Sequence, residues 1–310
     1  MSGSIGDGVW PVMITPYTPD NKIDYPAVDK MLEWYQAQNV TGVFAVCQSS
    51  EMHVLSRDER AELAKFVVDH APAGMGVIAS GHVEDSLELQ VEDAKRTIDA
   101  GVDSFVFISN RFAAEGEGDD VAKKAIEVLV ERIPAESFGI YECPRPYKRL
   151  MSPELLRWCA ESGKFSFLKD TCCHLGQLKA KIDAVRGTNL KVFNANAATL
   201  LASLEMGAAG YSGVMANFHP ALYAWLCANY ATWPQLASAV QDFLGFASLA
   251  ECQEYPVNAK YHMRLEGVEM ELSSRVRDAA GFTHSKRLEV EQMRRTVRLF
   301  EGRFMQDIVA

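Results

Sequence analysis

The chain has 310 residues, 48% of them hydrophobic and 23% charged, with a formal net charge of −10 and a pI near 5.3. A chain of this length and make-up builds a core without staples, and its acidic balance argues against a nucleic-acid partner, which calls for a basic face. No apolar run approaches the ~18 residues that span a bilayer, and the start, Met1 to Asp7, lacks the basic stretch and apolar core of a signal peptide.

In chain order, short apolar runs alternate with amphipathic helical patterns. The runs at residues 9–14, 42–47, 76–80, 104–108, 138–142, 165–169, 191–193 and 209–215 predict strands. Between them, helices are expected over 25–38, 57–70, 83–100, 120–131, 153–161 and 175–185. Ser56 with Glu59 forms a capping box, and Ser152 with Pro153 pairs an N-cap with proline at the first helical position. Beyond about residue 232 only helical patterns recur, at 236–252, 257–265 and 286–304, the last carrying Leu288, Val290, Met293, Val297 and Phe300.

Eight short buried strands alternating with helices imply parallel pairing, and eight such units close into a (β/α)8 barrel of the TIM type. A doubly wound open sheet is the rival, but its first strand would normally open a Gly-rich phosphate loop. Thr15 to Pro19 is nothing like one. The expected division is a catalytic barrel over 1–232 and a C-terminal helical extension over 233–310.

Barrel chemistry sits at the C-terminal ends of the strands. Lys169 ends an apolar strand, where desolvation lowers an amine pKa and yields the neutral nucleophile that imine formation requires. On position alone, a snorkelling lysine or one paired with Asp170 is the competing reading. Tyr141 ends another strand and suits general acid–base work, although core packing places tyrosines there too. Gln48, Ser49 and Ser50 offer consecutive donors for a carboxylate, or ordinary turn bonding. Cys172, Cys173 and His174 lack the spacing of a metal site, so no metal is expected. His82 is the other histidine near a strand end. The seven cysteines, odd in number and irregularly spaced, suit reduced thiols in a cytoplasmic protein.

Taken together, the segments from Cys47 to Arg60, Tyr141 to Pro144, Phe167 to Thr171 and Gly207 to Asn217 resemble, in order, the motifs of one family. This is the superfamily of dihydrodipicolinate synthase and N-acetylneuraminate lyase, the pyruvate-dependent class I aldolases. The resemblance implies that Lys169 condenses with a small 2-oxo acid and Tyr141 shuttles protons. Ser49 and Ser50, with the backbone near Ser212 and Gly213, then hold the carboxylate. It also implies a homotetramer or homodimer and no cofactor beyond the lysine.

The departures fall in the half of the site that sees a second substrate. Gln48 stands where the loop has Thr or Ser, and Glu142 where the tyrosine motif has Asn. Pro146 replaces the arginine that binds the aldehyde's carboxylate in the synthases, and Phe112 replaces a tyrosine supplied by a neighbouring subunit. A sugar-acid aldolase or dehydratase is therefore expected, with Glu142, Arg111, Arg145 and Asn196 as second-substrate contacts. A true 4-hydroxy-tetrahydrodipicolinate synthase is the alternative. A non-catalytic barrel that senses a carboxylate and a metal-dependent aldolase rank behind it.

Overall fold

The predicted strands form a single parallel sheet, with β1, β2 and β8 shorter than the runs at 9–14, 42–47 and 209–215 suggest: β1 (Gly8–Val9), β2 (Gly42–Phe44), β3 (Gly76–Ala79), β4 (Ser104–Ile108), β5 (Phe138–Tyr141), β6 (Phe165–Asp170), β7 (Lys191–Asn194) and β8 (Gly210–Tyr211). Each pairs with its sequence neighbour from β2 to β8, and β8 returns to β1. The seam between β1 and β2 is closed by a parallel bridge from Val12 to Phe44, with the Phe44 N–H donating to Pro11 O at 2.8 Å. The result is the (β/α)8 barrel that the alternation predicted. The computed structural model describes residues 5–309, with side chains to residue 302.

The first six helices lie at or near their expected places: α1 (Tyr25–Ala37), α2 (Arg57–His70), α3 (Leu87–Asp99), α4 (Asp119–Arg132), α5 (Pro153–Glu161) and α6 (Leu175–Val185). The capping box of α2 forms in full, with the Glu59 N–H donating to Ser56 Oγ and the Ser56 N–H to Glu59 Oε2. Two further helices, α7 (Leu200–Glu205) and α8 (Pro220–Asn229), complete the ring. Neither shows an amphipathic stripe. α7 is barely two turns, and α8 is apolar almost all round because barrel and extension cover it together.

The barrel floor is set by Trp10, whose indole lies across the axis. A Cβ on Gly42 or Gly76 would come within 2.3 or 2.5 Å of that ring, so both positions require glycine for space. Above Trp10, Phe44, Phe167 and Phe193 stack edge and face within 4.7–6.3 Å of one another or of the indole. Outward residues of β4, β5 and β6, among them Phe105, Phe107, Ile140 and Leu168, pack under the helices as a second core.

Beyond the barrel, α9 (Pro234–Ala247) ends in a 3-10 turn at Ser248–Cys252, where the sequence suggested one continuous helix. α10 (Val257–Leu265) and α11 (His284–Val309) follow. Gln241 of α9 fastens this extension to the mouth, accepting from Leu201 N at 2.7 Å and donating to Ala197 O at 2.8 Å. Val290 and Val297 of α11 are buried, whereas Leu288 is exposed.

Candidate active site

β5 and β6 run in register, with Tyr141 paired to Lys169, and the period-two pleat turns both inward at the top of the barrel. Lys169 Nζ lies 4.4 Å from the centroid of the Tyr141 ring, and the side chain is only 4% exposed. Among the described residues it makes no hydrogen bond and no ion pair. Burial lowers its pKa to about 8, with Cys47, Cys143 and Glu251 pulling weakly the other way. Asp170, the partner considered for it, faces outward and bonds Lys181 and the Cys172 N–H. Tyr141 is held edge-on to Phe44 at 5.8 Å, and burial, then the neighbouring thiols, push its phenol well above the ordinary value.

The loop after β2 is fixed from inside and outside. Ser50 Oγ accepts from the Cys47 N–H and donates to Cys47 O, both at 2.7 Å, and Thr15 Oγ1 donates to Ser50 O at 2.8 Å. The Ser50 hydroxyl is thus spent on the turn. The Ser49 and Ser50 amides point at the Cys47 thiol, two converging donors of the kind a carboxylate uses. Gln48 Oε1 accepts from Cys143 Sγ at 3.2 Å. Outside the loop, the buried Glu51 accepts from the Arg275 N–H at 2.7 Å and lies 3.6 Å from Lys260 Nζ. The extension therefore braces the loop.

The remaining expected contacts divide. Ser212 Oγ donates to Trp10 O, and a Cβ on Gly213 would strike Tyr211 Oη at 2.3 Å, so that position requires glycine for space. Asn196 spends its Oδ1 capping the 3-10 turn Ala197–Thr199. Arg111 is clamped to Asp85 Oδ1 and Val83 O, each at 2.5 Å, and Arg145 is exposed. Both stand near His53, which is exposed on the loop after β2.

Glu142, expected as a substrate contact, is turned away from the lumen. It follows the inward Tyr141, so the pleat sends it outward, where it is fully buried and bonded to Lys181, the Met151 N–H and the Thr171 N–H. His82 is likewise a core residue, bonded to Gln90 Oε1 at 2.9 Å and stacked edge-on to Phe107; burial lowers its pKa to about 4. Phe112 packs in that same core. His174 caps α6, and Cys172 and Cys173 bond nearby carbonyls. Among the described residues no three His, Cys, Asp or Glu are grouped to hold a metal ion.

Two residues at the mouth were not singled out in the sequence. Tyr255, between α9 and α10, accepts from Asn217 Nδ2 at 3.1 Å and bonds the Ser49 side chain. Glu251, in the 3-10 turn, is exposed, and its carboxylate lies within electrostatic reach of the Lys169 ammonium. Both come from a segment without strand or motif signal; only the fold returns it over the barrel.

The geometry agrees with the comparisons. A model of the dihydrodipicolinate synthetase family matches residues 6–293. The 4-hydroxy-tetrahydrodipicolinate synthase of Haloarcula marismortui is 26% identical over 268 residues, covering 84% of each chain. Among solved structures, a prophage protein of the dihydrodipicolinic acid synthase family from E. coli K12, in complex with pyruvate, superposes with a TM-score of 0.82 at 18% identity, covering 95% of this chain and 98% of its own. CdNal from Clostridium difficile, in complex with mannosamine, gives 0.82 at 17% identity, covering 94% and 99%. With its barrel, strand-end lysine and facing tyrosine, the chain belongs to the dihydrodipicolinate synthetase family.

Proposed function

We propose that the protein is a class I lyase or aldolase that captures pyruvate or another small 2-oxo acid as an imine on Lys169. The observation that carries this reading is a buried, unpaired lysine with its pKa lowered to about 8, facing a phenol across one strand pair. The neutral amine adds to the 2-oxo carbon, and loss of water from the carbinolamine leaves the iminium. Removal of a proton from C3 gives an enamine, which attacks an electrophilic carbon in the condensing direction; cleavage or dehydration runs through the same species. Tyr141 carries protons to and from the departing oxygen. The Ser49 and Ser50 amides hold the carboxylate, and no cofactor is needed.

The second substrate is where this chain departs from the synthases. Pro146 has no side-chain charge to offer a second carboxylate. Glu251 and Tyr255 instead bring a carboxylate and a hydroxyl to the mouth, groups suited to a polyhydroxylated partner. A 2-oxo-3-deoxy sugar acid aldolase or dehydratase is accordingly preferred over 4-hydroxy-tetrahydrodipicolinate synthase, the name its curated relatives carry.

Incubation with 2-oxo acids and borohydride, followed by peptide mass analysis, should place a reduced adduct on Lys169. No adduct with any of them would sink the imine proposal. All seven cysteines are free, which suits a cytoplasmic protein, and no helix among the described residues is long and apolar enough to cross a membrane. The assembly is proposed as a homotetramer or homodimer; sedimentation showing only monomer at assay concentrations would contradict that.

A further inference from the structure

Directly behind the reacting pair the fold buries three charges. Lys181, on α6, is 2% exposed; its ammonium donates to Asp170 Oδ2 at 2.6 Å and to Glu142 Oε1. Each carboxylate is also tied to backbone. Glu142 accepts from the Met151 N–H at 2.8 Å and the Thr171 N–H at 2.9 Å, and Asp170 accepts from the Cys172 N–H at 3.0 Å. The same segments are stitched again through the main chain: the Glu142 N–H donates to Lys169 O at 3.2 Å, and Thr171 Oγ1 to Glu142 O at 2.7 Å.

Burying such a cluster gains little stability, because desolvation offsets the attraction and apolar side chains of similar shape do as well. What it does supply is direction. Hydrogen bonds to charged groups are short and geometrically demanding, and these fix the ends of β5 and β6 at residues 142 and 170. One residue back along each strand, pointing the other way, are Tyr141 and Lys169. The departure from the family's asparagine at Glu142 also finds its counterpart here, since a carboxylate buried at that position requires a cation and Lys181 provides it.

We infer that Lys181 is a positioning residue. By tying Glu142 to Asp170 it holds the two strand ends so that the imine lysine and its phenol face each other. The role rests on the imine reading, and acts on the rate of imine formation rather than on capture of the carboxylate, which the loop after β2 performs on another strand.

The test is the single-turnover rate of borohydride-trapped adduct formation on Lys169 in the full-length protein, measured against pyruvate concentration. Lys181→Met, with wild-type circular dichroism, is expected to reduce the limiting rate by on the order of tenfold or more, as sub-ångström misplacement of reacting groups does. The half-saturating pyruvate concentration should stay near the wild-type value. Lys181→Arg, which keeps the charge, should recover part of the loss. If Lys181→Met does not fold, Asp170→Asn takes its place: it keeps an oxygen for the Cys172 N–H, removes the charge facing Lys181, and carries the same expectation. A wild-type trapping rate in either folded variant would overturn the positioning role while leaving the imine reading standing. Failure of the wild-type protein itself to form any adduct overturns that reading, and this inference with it.

Discussion

An amine works as a nucleophile only when it is neutral, and a lysine in water is almost wholly protonated below pH 9. Burial brings the Lys169 pKa to about 8, while Tyr141 moves the opposite way and stays a phenol throughout the working range. The sign of the pH dependence follows. Below the amine pKa the rate of adduct trapping should rise about tenfold per pH unit, and above about pH 8 it should level off. A rise continuing to pH 10 would show a solvated lysine and remove the basis for its role. The placement of Lys169 and Tyr141 was legible because each ends an apolar strand within a family motif. Glu142 was misplaced for a reason equally readable in the sequence: in a strand, the neighbour of an inward residue points outward. Tyr255 and Glu251 were not legible, since nothing local marks a residue that a later helix pair carries back across the barrel.

Strands and helices were legible in proportion to how one-sided their surroundings are. Helices α2, α5 and α6 begin and end where periodicity and caps placed them, because each has one wet face and one dry face. α8 was missed for the opposite reason: with the barrel on one side and α9 on the other, it has no wet stripe to set a period. The apolar run at 209–215 was read as one strand, yet the ladder holds only Gly210–Tyr211. After it the chain leaves the barrel wall, and Ser212 turns its hydroxyl to Trp10 O. Similarly, the helix expected over 236–252 gives way to a 3-10 turn at Ser248, and that change of pitch accompanies the approach of Glu251 to the mouth. Elements that build the scaffold thus announce themselves, whereas segments that trim the site depend on contacts far along the chain.

For the whole molecule, burying Lys169 carries a cost. In the unfolded chain Lys169 has the ordinary pKa of 10.5, and folding depresses it to about 8. For a base, a depressed folded pKa is a penalty, fully present below pH 8 and fading as pH rises towards 10.5. Lys169→Met should therefore be more stable than the wild type at pH 7, by about 3 kcal/mol at ~1.4 kcal/mol per pH unit. The advantage should shrink steadily above pH 8. Chemical denaturation of both proteins at pH 7 and pH 10 checks this, and an equal difference at the two values would show that desolvation of the amine is not its source.

Trp10, wedged against Gly42 and Gly76, closes the far end of the barrel. Traffic through the site must then use one doorway. Under the imine proposal, the 2-oxo acid held by Lys169 sits deepest, and in an aldol cleavage the other fragment lies above it and leaves first. A one-ended chamber of this kind works as a stack, last in and first out, so for the proposed aldolase the barrel floor would set the order of release.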